Sequence, residues 1–200
     1  MHISDGVLPP AVTVSTAVVS AGMVVLSVRR LHYEDYPRIA VMTAAFFVAS
    51  LIHIPLGPTS VHLLLPGLVG IVLGPLSFLA IALGLVLQCF LFQFGGVTAL
   101  GANALMMGIP AVLSGYIFRA FAGRHIGKTA VVAGIAGAIG VLTAALILAV
   151  LLALSGEVFW GVAKVAFLAH IPVAAVEGGV SAFAVSFLYR VKPELLKGTL

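Results

Sequence analysis

Charge is what this sequence lacks. Only 8% of its 200 residues are Asp, Glu, Lys or Arg, against about 25% in soluble globular domains. None lies between Arg38 and Arg119. A chain this poor in charge and 62% hydrophobic excludes a soluble enzyme or a nucleic-acid-binding domain and predicts a polytopic membrane protein. Its one cysteine, Cys89, excludes an intramolecular disulfide and says nothing of compartment. Walker, HExxH and GxSxG motifs are absent, which argues against ATP hydrolysis or substrate cleavage by the chain itself. No soluble domain, low-complexity segment or internal repeat interrupts the apolar pattern, so residues 1–200 read as one membrane domain.

What is present is a series of apolar stretches. Hydropathy predicts an all-α integral membrane protein with seven spans, at 10–28, 39–54, 60–74, 76–94, 103–119, 129–155 and 164–189. Several are short for a bilayer crossing, and those near Pro55, Pro58, Pro66 and Pro75 are expected to be broken, tilted or buried in the bundle. Arg29, Arg30 and Arg38 fall between the first two spans, and Arg119, Arg124 and Lys128 between the fifth and sixth. Arg190, Lys192 and Lys197 follow the seventh, and Lys164 alone falls on the other side. The positive-inside rule then puts the N-terminus outside and the C-terminus in the cytoplasm. The basic pair follows the first apolar stretch and Asp5 precedes it, the reverse of a cleaved signal peptide.

The polar residues that remain cluster on the predicted outer side. Met1-His2 offers an α-amine, a backbone amide and an imidazole in succession, a chelating set suited to Ni(II) or Cu(II), with imidazole also a ligand for Co(II). His62, in an external turn entering the third span, is placed to supply a fourth nitrogen, although position alone favours an interfacial histidine bonded to a backbone carbonyl. His53 ends the second span one turn away. Asp5-Gly6 reads as a turn folding residues 1–4 toward the bundle, with Asp5 a candidate acceptor for the second His2 ring proton. Gln93, Thr98 and Asn103 flank Gly95-Gly96 in the next external loop and are candidates to fix that terminal segment. His170 opens the seventh span, and Glu177, two turns deeper, is an ionisable group expected to face the bundle interior. Small residues at Gly70/Gly74, Ala133/Gly137 and Gly178/Ala182 predict close helix contacts, within the chain first of all.

Taken together, Met1-His2-Ile3-Ser4-Asp5-Gly6-Val7-Leu8, the Gly57-to-Leu63 segment, Gly95-Gly96 with Gly101-Ala102-Asn103, and Ala169-His170-Ile171-Pro172 with Glu177-Gly178 resemble the CbiM/NikM family. These are the cobalt- and nickel-specific membrane components of energy-coupling factor transporters. The resemblance spans nearly the whole chain and implies a seven-helix bundle whose outer N-terminal segment, residues 1–9 here, inserts and chelates metal. It implies that Met1 gives its α-amine nitrogen, His2 its amide and imidazole nitrogens, and His62 its imidazole. Asp5, His53, Gln93, Thr98, Asn103, His170 and Glu177 are the supporting candidates.

The function implied is capture of Ni²⁺ or Co²⁺ as transported substrate in a prokaryotic inner (plasma) membrane, with no organic cofactor and no enzymatic step. The partners implied are a transmembrane coupling protein, cytoplasmic ATPase subunits and in some systems a small accessory membrane protein, here expected as a separate chain. The alternative is a stand-alone divalent-metal permease or channel. Position 4 is Ser where the family often has Pro. Because the amine and imidazole must be deprotonated to bind, acid is expected to weaken capture.

Overall fold

The computed structural model describes residues 2–56 and 59–196, and for 53–56 and 59–62 the backbone alone. Among the described residues there are seven α-helices, and five helical stretches are long and apolar enough to cross a membrane. Helix α1 (Pro10–Val28) starts on Pro10 at a first-turn position, where a missing N–H costs nothing, and stops before the Arg29-Arg30 pair. It lies on the outside of the bundle and exposes Val14, Val18, Val25 and Leu26, an apolar surface suited to lipid.

The predicted second and third spans are corrected. Helix α2 (Tyr36–Ala49) has 14 residues and ends five residues before the expected boundary. Residues 53–62 form a β-hairpin instead of helix ends, with β1 (His53–Leu56) antiparallel to β2 (Thr59–His62). Helix α3 (Pro66–Leu73) is then only eight residues long. Three prolines in Pro55, Pro58 and Pro66 deny donors to a continuous helix, and a hairpin lets the remaining backbone groups pair with one another.

Helix α3 is apolar all round and buried nearly all round, the mark of a central element. A tight turn at Gly74-Pro75-Leu76 leads into α4 (Ser77–Phe92). Then follow α5 (Leu100–Phe121), α6 (Ile126–Leu154) and α7 (Trp160–Val191). The last begins four residues before its predicted start, so His170 sits ten residues inside it instead of opening it.

Small residues bring these helices together, as their spacing predicts. Gly134 and Gly178 face each other across α6 and α7, each Cβ position about 3 Å from the other's carbonyl oxygen (3.2 and 2.9 Å). A side chain at Gly70 would strike the Ala111 carbonyl of α5 at 1.8 Å. Hydroxyls add interhelical bonds: Ser20 donates to the Gly101 carbonyl at 2.6 Å, and Ser114 donates to the Ala136 carbonyl at 2.9 Å. In lipid such close packing and polar contacts hold a bundle where water-driven burial does not.

The N-terminal segment and its clamp

The segment before α1 is drawn into the bundle at the start of α5. Ile3, only 3% exposed, donates its N–H to Asn103 Oδ1 at 2.9 Å, and Asn103 Nδ2 donates back to the Ile3 carbonyl at 3.0 Å. A carboxamide carries one acceptor and one donor group side by side, so it pairs with a peptide unit as a neighbouring β-strand would. Next along the chain, the His2 ring stacks on Phe94 with centroids 5.8 Å apart. Phe94 also stacks on Phe92 at the end of α4.

Asp5 anchors the other side of the segment. It lies in the predicted turn, with Gly6 at φ 80°. Its Oδ1 accepts from the Thr98 N–H at 2.9 Å, the Thr98 hydroxyl at 2.5 Å and the Ala99 N–H at 3.3 Å. All three donors, at the entry to α5, meet this one oxygen. Amides at a helix start lack intrahelical partners and the positive end of the helix dipole favours a carboxylate there. Gly96 makes the approach possible, since a Cβ at that position would lie 2.1 Å from the Asp5 carboxyl carbon.

These hydrogen bonds, the Thr98 hydroxyl first, hold the Asp5 pKa below its ordinary value. A depressed carboxylate pKa gives a tether that is complete above about pH 4, the unfolded-chain value, and is lost as pH falls through the lower folded value. Between pH 7 and 5 Asp5 therefore stays charged. Replacing Asp5 with Asn is expected to weaken metal binding several-fold at pH 7 by loosening the segment, measured by equilibrium titration. The wild-type tether itself, followed by protection of the Thr98 and Ala99 amides from exchange, is expected to persist down to pH 5.

The remaining candidates divide. Gln93 is exposed and contributes through its backbone: at φ 55° it ends α4, its N–H bonded to Cys89. His170 is buried, with Nδ1 2.6 Å from the Ala166 carbonyl of its own helix. Glu177 is fully buried, as expected, and reaches across from α7 to the turn between β2 and α3. There its carboxylate accepts the Leu64 N–H and, at 3.0 and 2.9 Å, the Leu65 N–H. Leu65 sits at φ 49° just ahead of Pro66. Glu177 thus fixes the chain two residues past His62.

In the hairpin, His53 pairs with His62 in register, which places the two on neighbouring strands in place of a helix end and a turn. Met1 and the side chains of His53 and His62 lie outside the described residues. Among the described residues no three His, Cys, Asp or Glu side chains converge. Phe94 and the Leu64 and Leu65 amides are the contributors that motif reading missed. Phe94 directly precedes the Gly95-Gly96 pair, and that adjacency was the available signal.

Comparison with known proteins matches residues 2–195 to the model of the CbiM family, described as cobalt uptake substrate-specific transmembrane region. The chain belongs to the CbiM family. A Haemophilus influenzae protein named for metal transport is 36% identical over 100% of this chain and 98% of its own length. The cobalt transport protein CbiM of Sorangium cellulosum is 30% identical over 98% of this chain and 94% of its own. The fused nickel transport protein NikMN of Rhodobacter capsulatus is 31% identical over 98% of this chain and 64% of its own. A crystal structure of a transition metal transporter superposes with a TM-score of 0.84 at 23% identity, covering 99% of this chain and 97% of the other, which establishes the shared fold. This CbiM-family chain is a multi-pass inner-membrane protein of metal uptake.

Proposed function

We propose that the chain captures Ni²⁺ or Co²⁺ outside the membrane and delivers it to the cytoplasm as the substrate-binding subunit of an ATP-driven importer. Its partners in this reading are a transmembrane coupling protein and cytoplasmic ATPase subunits. The ligands proposed are the Met1 α-amine, the His2 amide and imidazole, and the His62 imidazole. The observation that carries the reading is the Asn103 clamp, because it holds the terminal segment at a fixed place in the bundle. It also engages the Ile3 N–H, so a chelate built from the terminus ends with the His2 amide.

Other features support the same reading. The Phe94 stack limits rotation of the His2 ring, and Glu177 restrains the chain that follows His62. Asn103 and Arg119 lie 16 residues apart on α5, about 24 Å along a helix. The clamp and Arg119 therefore lie toward opposite ends of α5, and the positive-inside rule favours the clamp end as the outer one. Four nitrogen donors in a plane suit Ni(II) by coordination preference, and imidazole serves Co(II) as well.

The test is uptake into proteoliposomes. The chain reconstituted alone is expected to bind metal without concentrating it, and the chain with its coupling and ATPase partners is expected to accumulate metal only with ATP. Uptake by the chain alone at the same rate would favour a stand-alone permease.

A further inference from the structure

At the end of the bundle opposite the clamp, three arginines from separate elements line one cavity of about 250 Å³. Arg30 follows α1, Arg38 lies in the first turn of α2, and Arg119 lies in the last turn of α5. Pro75, in the turn between α3 and α4, and Leu195, beyond α7, also line it, and Asp35 is the one acidic group in the lining among the described residues. Asp35 is already occupied: its carboxylate accepts the His32 N–H at 3.1 Å and lies 3.7 Å from the His32 ring. Among the described residues, none of the three guanidiniums pairs with a carboxylate. Three arginines and one aspartate, among the described residues, give the lining a net charge of +2.

Arg119 is seated there by a backbone feature. Gly74 adopts φ 56° and ψ −127°, a conformation closed to residues with a side chain. A Cβ at that position would lie 2.0 Å from Arg119 Nη2. Glycine therefore lets the guanidinium lie directly over the α3–α4 turn, in the cavity that Arg30 and Arg38 also line. Arginines scattered at a membrane surface would satisfy the positive-inside rule without meeting. Here all three, exposed as they are, line one cavity beside Val72 and Leu73.

We propose that this cavity is a binding site for a phosphate dianion. Guanidinium groups arriving from three directions match the three terminal oxygens of a phosphomonoester, each able to take paired N–H donors. The net charge of the lining matches the dianion. The phosphate is supplied either by the headgroup of an anionic lipid of the phosphatidic-acid type or by free phosphate in solution.

The test uses the purified full-length chain with Arg38→Gln and Arg119→Gln combined, and Arg124→Gln as a basic-residue control outside the cavity. Native mass spectrometry measures retention of phosphatidic acid against phosphatidylcholine, and a parallel thermal-shift titration uses inorganic phosphate. Wild type is expected to retain phosphatidic acid selectively, the double variant about tenfold or more weakly, and the Arg124 variant as wild type. Stabilisation by inorganic phosphate that the double variant loses, without lipid selectivity, also supports the site and assigns it to the free ion. Equal binding by wild type and double variant overturns the proposal, as does binding of neither probe. Loss of partner co-purification in the double variant with neither probe bound would replace it with a protein carboxylate site.

Discussion

Replacing Asn103 with Ala is expected to lower affinity for Ni²⁺ or Co²⁺ by roughly a hundredfold while leaving the helical bundle folded. The substitution strips partners from both the N–H and the carbonyl of Ile3. A buried polar group without a partner costs about 1–3 kcal/mol. Two such losses correspond to about 3 kcal/mol, and every 1.4 kcal/mol is tenfold in affinity. The segment has a cheaper option than bearing that cost, which is to leave the bundle, and its departure removes the proposed ligands with it. Asn103→Asp provides a graded check: it keeps the acceptor for Ile3 N–H and sets a carboxylate against the Ile3 carbonyl, so an intermediate or equal loss is expected. Isothermal titration with circular dichroism on the same samples separates affinity from fold. Wild-type affinity in Asn103→Ala would contradict the clamp's role.

The second large effect is expected at Glu177. Its carboxylate is the acceptor for the Leu64 and Leu65 amides at the junction of hairpin and α3. Glu177→Leu leaves both donors buried without partners, a loss of about 3 kcal/mol, which corresponds to a fall in thermal midpoint of roughly 10 °C for a chain of this size. Metal affinity is expected to fall as well, because His62 lies two residues before this anchor. Glu177→Gln retains one acceptor oxygen and should recover much of the stability. If the Leu variant melts with wild type, the carboxylate contributes nothing to holding the turn.

Much of the helical framework was legible in the sequence because hydropathy and breakers act locally. The first span was expected at 10–28 and α1 is Pro10–Val28. Helices α4 to α7 lie within a few residues of expectation at each end. The span ends at 53–54 and 60–65 were misread because a window of apolar residues measures transfer into lipid and not backbone geometry. Ile54 and Val61 score as span ends, yet the prolines and the Glu177 carboxylate more than a hundred residues away settle the chain as hairpin and turn.

At the site, Thr98 and Asn103 could be singled out because polar residues are conspicuous in an apolar chain. Asp5 was visible for the same reason, but its partner was not. That it meets the amides at the start of α5 depends on where α5 begins in space, and sequence spacing does not carry that. The Arg30, Arg38 and Arg119 cavity was visible only as charge on one side of a topology. Their convergence depends on Gly74 and the path of the α3–α4 turn.

The proposal that the chain terminus is itself the ligand is open to one direct measurement. Metal content is determined by plasma mass spectrometry on protein purified with its native Met1 terminus and on protein carrying a two-residue extension before Met1. The extension converts the α-amine into an amide and leaves every contact of Ile3, Asp5 and Asn103 in place to form. The account predicts about one Ni²⁺ or Co²⁺ per native chain and close to none in the extended one. Equal metal content in the two would contradict it.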